Sequence, residues 1–439
     1  MHRIFVALLI ACAATTLAQS ARAATAPDCF VGSYRLADGS SVDIARSSDD
    51  MLRWRKFDGT TGALHPHSDG RWTGTRGWTD ESDGVSATFG QCDGTVTFAG
   101  QKGAQLHFDV HDVSFVSHDT KLAGRIVMPP GDAKVPVVVL IHGSEPDSAL
   151  DSYPLQRMLP AQGIAAFVYD KRGTGSSGGK YTQDYSLLAD DAAAAVAQAR
   201  SLAGARLGRI GFQGGSQAGW VVPLAASRTK VDFAIVCFGL AVNALDEDQE
   251  AVEIQLREKG WSPADIRDAQ KVARAAENVF ASNFTSGFDE LDRLRKQYSN
   301  APWYKDLKGD YAYFILPKSE AELREMAPQF DWHIPFHYDP MPVLRNSRTP
   351  QLWIIGGEDY EAPSRETRKR LGALIADGRD FTIAYYKNAE HGMTYFDVDA
   401  KGERISTRYA PGYYELIRDF ATGALHGNYG DAELTRPRR

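Results

Sequence analysis

An excess of positive charge, long apolar runs and cysteine are what this sequence lacks. Its 49 Lys and Arg are outnumbered by 56 Asp and Glu, leaving a formal charge of −7. Phosphate binding needs a basic face that such a balance does not readily supply, so nucleic acid is not an expected partner. A small or uncharged substrate fits better. Past the first residues no stretch approaches the roughly 18 to 20 apolar residues of a transmembrane helix, and no membrane span is expected. Apolar residues at 43% and charged residues at 24% are ordinary globular usage, which excludes a disordered or fibrous chain.

Metal and cofactor signals are thin as well. Asp170 to Lys180 is glycine-rich, but a phosphate-cradling GxxxxGK[ST] ending at Lys180 would need Gly at Thr174 and Ser or Thr at Tyr181. His333 and His337 have the spacing of a helical metal pair, yet Pro335 between them disfavours regular helix. The Asp-Gly pairs described below lack the ligand spacing of a calcium loop. Neither a metal nor a cofactor is expected.

The N-terminus reads as an export signal over residues 1–23: His2 and Arg3, an apolar run from Ile4 to Ala14, then Ala21-Arg22-Ala23 as a small-residue cleavage site. Loss of Arg3 and Arg22 with no acid takes the charge from −7 to −9. The rival reading is a lipoprotein signal, Leu9-Ile10-Ala11-Cys12, which would anchor the chain at Cys12. A periplasmic or secreted protein is expected. In that oxidising setting Cys29 and Cys92 are expected to form a disulfide, and Cys237, inside an apolar run, to be a buried thiol.

Residues 24–111 predict an all-β accessory domain. Short alternating segments are separated by Asp38-Gly39, Asp58-Gly59, Asp69-Gly70, Asp83-Gly84 and Asp93-Gly94, hairpin signals because Gly accepts positive φ. Over 112–242 and 345–430 the pattern changes to α/β. Val135 to Ile141, Ile164 to Tyr169, Leu207 to Phe212, Phe233 to Phe238, Leu352 to Ile355 and Phe381 to Tyr386 read as strands buried on both faces, with helices between them. That alternation implies a mainly parallel, doubly wound sheet. Residues 243–344, helical, charged and aromatic, interrupt it and read as a helical cap over the C-terminal ends of the strands, where open α/β sheets bind ligands.

The segment that carries chemistry is Gly211-Phe212-Gln213-Gly214-Gly215-Ser216-Gln217-Ala218-Gly219. A strained strand-to-helix turn can hold a serine hydroxyl above the sheet when its flanks carry almost no side chain. Here Gly214 and Ala218 flank Ser216, with Ala in place of the last Gly of GxSxG. Asp359 follows one late strand in Gly356-Gly357-Glu358-Asp359, and His391 follows the next in Asn388-Ala389-Glu390-His391-Gly392. This is the nucleophile, acid, histidine order of strand–turn–helix hydrolases. Serine needs a base to take its proton and an acid to fix the base's tautomer, so Ser216, His391 and Asp359 form the candidate triad. Glu358 is the neighbouring rival for the acid. Backbone N–H groups of Gln217 and Ser144 are the candidate oxyanion donors. His142, at the strand end, is assigned a structural role in the oxyanion loop. Glu145 is a candidate for binding a substrate amine.

These segments, with the loop Asp170 to Ser176, Asp339-Pro340 and Leu344, resemble the bacterial α/β-hydrolase family that contains esterases, serine aminopeptidases and acyl hydrolases. The resemblance covers about residues 112–425 and leaves the β-rich domain outside. Family members commonly carry Gly where this chain has Glu145. The resemblance implies an α/β-hydrolase fold and a serine hydrolase acting on a small ester or a short peptide. Ester hydrolysis through an acyl-enzyme is the expected activity; an aminopeptidase or amidase with the same triad, and a non-catalytic binding protein on the fold, are the alternatives. The oligomeric state is not legible.

Overall fold

Among the described residues eight short strands close into a barrel, and four of the turns between them are chemically specified. The strands are β1 (Gly32–Leu36), β2 (Ser41–Arg46), β3 (Leu52–Lys56), β4 (Thr61–Pro66), β5 (Arg71–Arg76), β6 (Ser82–Phe89), β7 (Thr95–Phe98) and β8 (Gln101–Gln105). Sequential neighbours pair antiparallel and β8 returns to β1. The computed structural model describes residues 28–48, 50–330 and 332–437; the expected export signal and Cys12 lie outside the described residues. In the turns, Gly39, Gly59, Gly70 and Gly94 have φ between 75° and 87°, and the preceding Asp accepts the N–H two residues after it. Asp83-Gly84 departs from expectation. It lies inside β6, beside a register shift against β5, where its Asp makes the same local bond to Val85. Tyr34, Trp54, Trp72 and Phe98 fill the interior. A Cys29–Cys92 disulfide, with 5.4 Å between its Cα atoms, ties the turn before β1 to the loop before β7.

The second sheet begins with a hairpin that the sequence pattern did not predict, β9 (Asp109–Ser117) and β10 (Thr120–Met128). β11 (Val135–Ile141), β12 (Ala165–Tyr169), β13 (Leu207–Gly215), β14 (Phe233–Cys237), β15 (Gln351–Gly356) and β16 (Phe381–Tyr386) form the parallel body. After β16 come a separate hairpin, β17 (Thr394–Val398) and β18 (Arg404–Tyr409), and an edge strand, β19 (Glu433–Thr435). The order is β19-β16-β15-β14-β13-β11-β12-β10-β9. Side chains alternate between two cores: Val137, Val139 and Ile141 face one and Val138 and Leu140 the other, which is why these strands read as continuous apolar runs. The strand order reverses at β11, whose neighbours are β12 and β13, and such a switch point opens a crevice at the carboxyl ends of the strands.

Between β14 and β15 the described residues make six α-helices from Ala244–Glu258 to Met341–Asn346, with a core of their own that includes Phe280, Phe284, Trp303 and Phe314. Much of the aromatic content of the insertion is spent on that core. Among the described residues no helix is long and apolar enough to cross a membrane.

Candidate active site

Ser216 follows β13 with φ of 55°, a left-handed conformation that is rare for a side-chain-bearing residue. Its N–H donates to Cys237 O (3.0 Å) and its carbonyl accepts from Gly219 N–H (2.8 Å), which pins the turn into the helix Ala218–Arg228. The small flanks follow from contact distances. A Cβ on Gly214 would stand 2.5 Å from the Ala218 Cβ, so the two positions share one space, and Ala218 fits because residue 214 has no side chain. A Cβ on Gly215 would meet the Phe238 ring at 2.3 Å.

The acid and histidine loops are packed together by the same device. A Cβ on Gly356 would lie 2.5 Å from Ala389 O and one on Gly357 2.3 Å from Lys387 O; Glu358 N–H donates to Ala389 O (2.9 Å). The loop after β15 thereby rests on the loop after β16. Asp359, 2% exposed, accepts from Glu361 N–H (3.0 Å) and Ala362 N–H (2.8 Å), and both its oxygens lie 3.0 Å from His391 Nδ1. Glu358 turns the other way, onto Arg404 (3.0 Å). The structure thus brings Asp359 and His391 together and leaves Glu358 out of the pair. Ser216 is not hydrogen-bonded to His391 among the described residues. Phe238, itself at φ 41°, stands edge-on to His391 (4.9 Å between ring centres) and against Gly215, linking the two loops.

Burial alone would lower the pKa of His391. The charge and hydrogen bond of Asp359, with Glu361 and Asp310, outweigh it and raise the imidazole from 6.5 to about 9. Glu361 Oε2 lies 3.6 Å from Nε2, the ring nitrogen that faces away from Asp359. Burial and then Asp310, Asp248, Asp359 and Glu361 hold the Glu247 carboxyl well above its ordinary range. Glu247, Asp310 and Glu361 thus bring three carboxyls into the electrostatic surroundings of the Asp359–His391 pair. None was singled out from the sequence, because the helical insertion supplies two of them from far along the chain.

The loop after β11 is locked by buried polar groups. Lys171 Nζ donates to Gly143 O (2.9 Å), Lys171 N–H to His142 Nε2 (3.1 Å), and the Tyr181 hydroxyl to Ser144 O. Burial pushes the Lys171 ammonium down to about 8. Glu145, a candidate for holding a substrate amine, folds onto its own loop. Its Oε1 accepts from Gly143 N–H (3.2 Å) and from the Tyr153 hydroxyl. Burial opposes its ionisation, but His142, Lys171 and Tyr153 overcome this and lower it to about 2. A Cβ on Gly143 would stand 2.4 Å from Glu145 Oε2, so the loop's Gly is matched to this inward carboxylate. Among the described residues neither Ser144 N–H nor Gln217 N–H donates to a protein acceptor. Cys237 is the buried free thiol expected, and burial pushes it up to about 11.

Residues 118–310 match the family model of X-Pro dipeptidyl-peptidase (S15 family). No curated protein sequence matches the chain. Among solved structures it is similar to the acylaminoacyl peptidase of Pyrococcus horikoshii, at 14% identity and a TM-score of 0.43 over 87% of this chain and 56% of that one. The chain therefore spans little more than half the length of that relative. An esterase of Pyrococcus furiosus aligns at 16% identity and a TM-score of 0.40, over 65% of this chain and 84% of the other. A hypothetical protein of Pseudomonas aeruginosa aligns at 18% and 0.40, over 72% and 94%. The strand order β9-β10-β12-β11-β13-β14-β15-β16, with the serine turn after β13, is this chain's own evidence for the fold. The chain thus carries an eight-stranded β-barrel followed by a mainly parallel sheet of α/β-hydrolase type, with Ser216 in the strand-to-helix turn after β13.

Proposed function

We propose that the chain hydrolyses carboxylic esters through an acyl-enzyme on Ser216. The observation that carries the reading is the left-handed Ser216 at the end of β13, facing the same sheet edge as the hydrogen-bonded His391–Asp359 pair. Ser216 Oγ attacks the acyl carbon while His391 takes its proton, and Asp359 holds the ring and stabilises the imidazolium. The free N–H groups of Ser144 and Gln217 receive the oxyanion. His391 returns the proton to the leaving alcohol, and water, activated by the same histidine, releases the acid. The chain from residue 24 works in an oxidising compartment outside the cytoplasm, which the Cys29–Cys92 disulfide supports; anchoring at Cys12 is the lesser form of that reading.

The second reading, an aminopeptidase or amidase on the same residues, no longer draws support from Glu145. It draws on Glu361 and Glu247, carboxyls able to pair with a substrate ammonium, and on the S15 match. A hydrolysis screen of p-nitrophenyl esters against aminoacyl anilides separates the two, with esters expected to be the better substrates. Ser216→Ala should abolish fluorophosphonate labelling and lower turnover by on the order of 10⁴ to 10⁶. Labelling elsewhere, or near-normal turnover, would overturn the mechanism, and a wild type that neither labels nor turns over either substrate would leave the fold as a binding scaffold.

A further inference from the structure

The hairpin β17–β18 takes no part in the proposed chemistry, yet it touches both loops that carry the acid and the histidine. Arg404, at the start of β18, donates from Nη1 to the carbonyl of Glu358 (2.6 Å) and from Nη2 to the Glu358 carboxylate (3.0 Å) and the Tyr360 hydroxyl. Its guanidinium lies 3.8 Å from the Tyr360 ring centre and 4.1 Å from that of Phe396. The residues on either side of Asp359 are therefore both clamped by one planar group. Tyr360 in turn donates to Glu258 of the helical insertion (2.6 Å). On the histidine side, Ser406 Oγ (2.5 Å) and Thr394 Oγ1 (3.0 Å) donate to Glu390, the residue before His391.

The other face of the hairpin is docked on the barrel. Trp78 N–H donates to Ser406 O and Tyr409 N–H to Gly59 O, each at 2.9 Å. Arg76 pairs with Asp397 (2.5 Å), and Trp78 packs edge-on to Tyr409. The approach is so close that a Cβ on Gly77 would stand 2.4 Å from Thr407 O and 2.5 Å from its Cα, and one on Gly59 2.7 Å from Tyr409 O. Ser406 bridges the two sides: its carbonyl takes a barrel N–H and its hydroxyl holds the histidine loop.

We propose that Arg404 is a positioning residue for the Asp359–His391 pair, and that the barrel acts through β17–β18 to hold it there, as part of the catalytic apparatus rather than a separate binding module. This rests on the reading of Asp359 and His391 given above. An arginine fork bonded to a backbone carbonyl and flanked by two rings fixes direction as well as distance. Asp359 must meet Nδ1 within a narrow range, and a misplacement of about 1 Å in such a pair costs roughly a hundredfold in rate.

The test uses the full chain with Arg404→Met, Arg404→Lys and Gly77→Ala, the last in the barrel and remote from the cleft. Turnover of a p-nitrophenyl ester is measured per site titrated with a fluorophosphonate, together with KM and the pH profile of kcat/KM. Expected are a per-site kcat lowered by about tenfold to a hundredfold in Arg404→Met with KM little changed, partial recovery in Arg404→Lys, and a smaller loss in Gly77→Ala. In each, the acid limb of the profile should move to lower pH, since a loosened Asp359 stabilises the imidazolium less. A merely structural role would reduce the number of titratable sites and leave per-site kcat and the acid limb in place; that result overturns the proposal. Should Arg404→Met not fold, Arg404→Lys and Gly77→Ala decide it by the same readings. Ser216→Ala and Asp359→Asn are measured alongside. If those two are inactive while the Arg404 and Gly77 variants match the wild type, the positioning proposal alone fails; if they are active, the assignment of the triad fails first.

Discussion

Asp359 presents both carboxylate oxygens to one nitrogen of His391, each 3.0 Å from Nδ1, while Glu358 beside it is bound by Arg404. Asp359→Asn keeps the shape but puts an amide where the carboxylate fixes the tautomer, and should lower kcat by about 10⁴. Glu358→Gln retains an oxygen for Arg404 and should change kcat by less than about tenfold. Steady-state kinetics on both variants check this, and a crippled Glu358→Gln would put the acid one residue earlier.

Carboxylates dominate the field at His391. Asp359, Glu361 and Asp310 all favour the charged ring, and its pKa of about 9 places the loss of base on the alkaline side of an ordinary histidine. Raising the pH through that value removes the imidazolium and frees the base, so kcat/KM should climb until well above pH 7. Glu361→Gln removes one negative charge 3.6 Å from Nε2, so the proton should leave at lower pH and the acid limb should shift down. An unchanged midpoint would mean that Glu361 is screened by solvent.

Beneath the cleft, Asp248 and Glu277 are both buried in the helical insertion at 0% exposure. Burial raises both; the charge of Glu277 raises Asp248 further, and Glu277 moves from 4.5 to about 7 although Arg274, Gln249 and Asp248 hold it down. A carboxyl whose pKa is raised by folding holds its proton more tightly in the folded chain, so stability is full below the unfolded value and falls as pH climbs toward the folded one. Thermal melts of the wild type should therefore decline between about pH 4.5 and 7 through this pair. Asp248→Asn keeps the oxygen that accepts Asp310 N–H (2.5 Å) and removes one charge, and should melt several degrees higher than the wild type at pH 8 with little difference at pH 4.5. Equal melting points at pH 8 would refute the pair's role.

The Cys29–Cys92 bridge closes a sequence separation of 63 residues across the barrel. Cys92→Ser should lower stability by about 2 to 4 kcal/mol in denaturant titrations, mostly by freeing the unfolded chain. Non-reducing peptide mapping of protein from its native compartment should recover the two cysteines as one linked pair; free thiols at both would remove the disulfide and its support for export.

What could be read from the linear sequence was local chemistry. Val135 to Ile141 and Phe381 to Tyr386 are strands with those same bounds, since a run buried on both faces shows itself without reference to any partner. The segments around Ser216, Asp359 and His391 stood out because tight turns at strand ends demand small neighbours at fixed offsets, and Gly214, Gly356 and Gly357 meet that demand through backbone contacts of 2.3 to 3.0 Å for any added Cβ. The Asp-Gly turns of the barrel were legible for the same reason.

Side-chain direction and long-range pairing were not. Nothing next to Glu145 in the sequence reveals that Tyr153 and Lys171 hold it inward. The polar hairpin β17–β18 lacks an apolar run because its partners are barrel turns over three hundred residues earlier and the acid loop. Asp310 and Glu361 join Asp359 in one electrostatic field around His391 only when the insertion between β14 and β15 comes beside the acid and histidine loops. Charge acts through space, and the tertiary structure alone determines which charges share it.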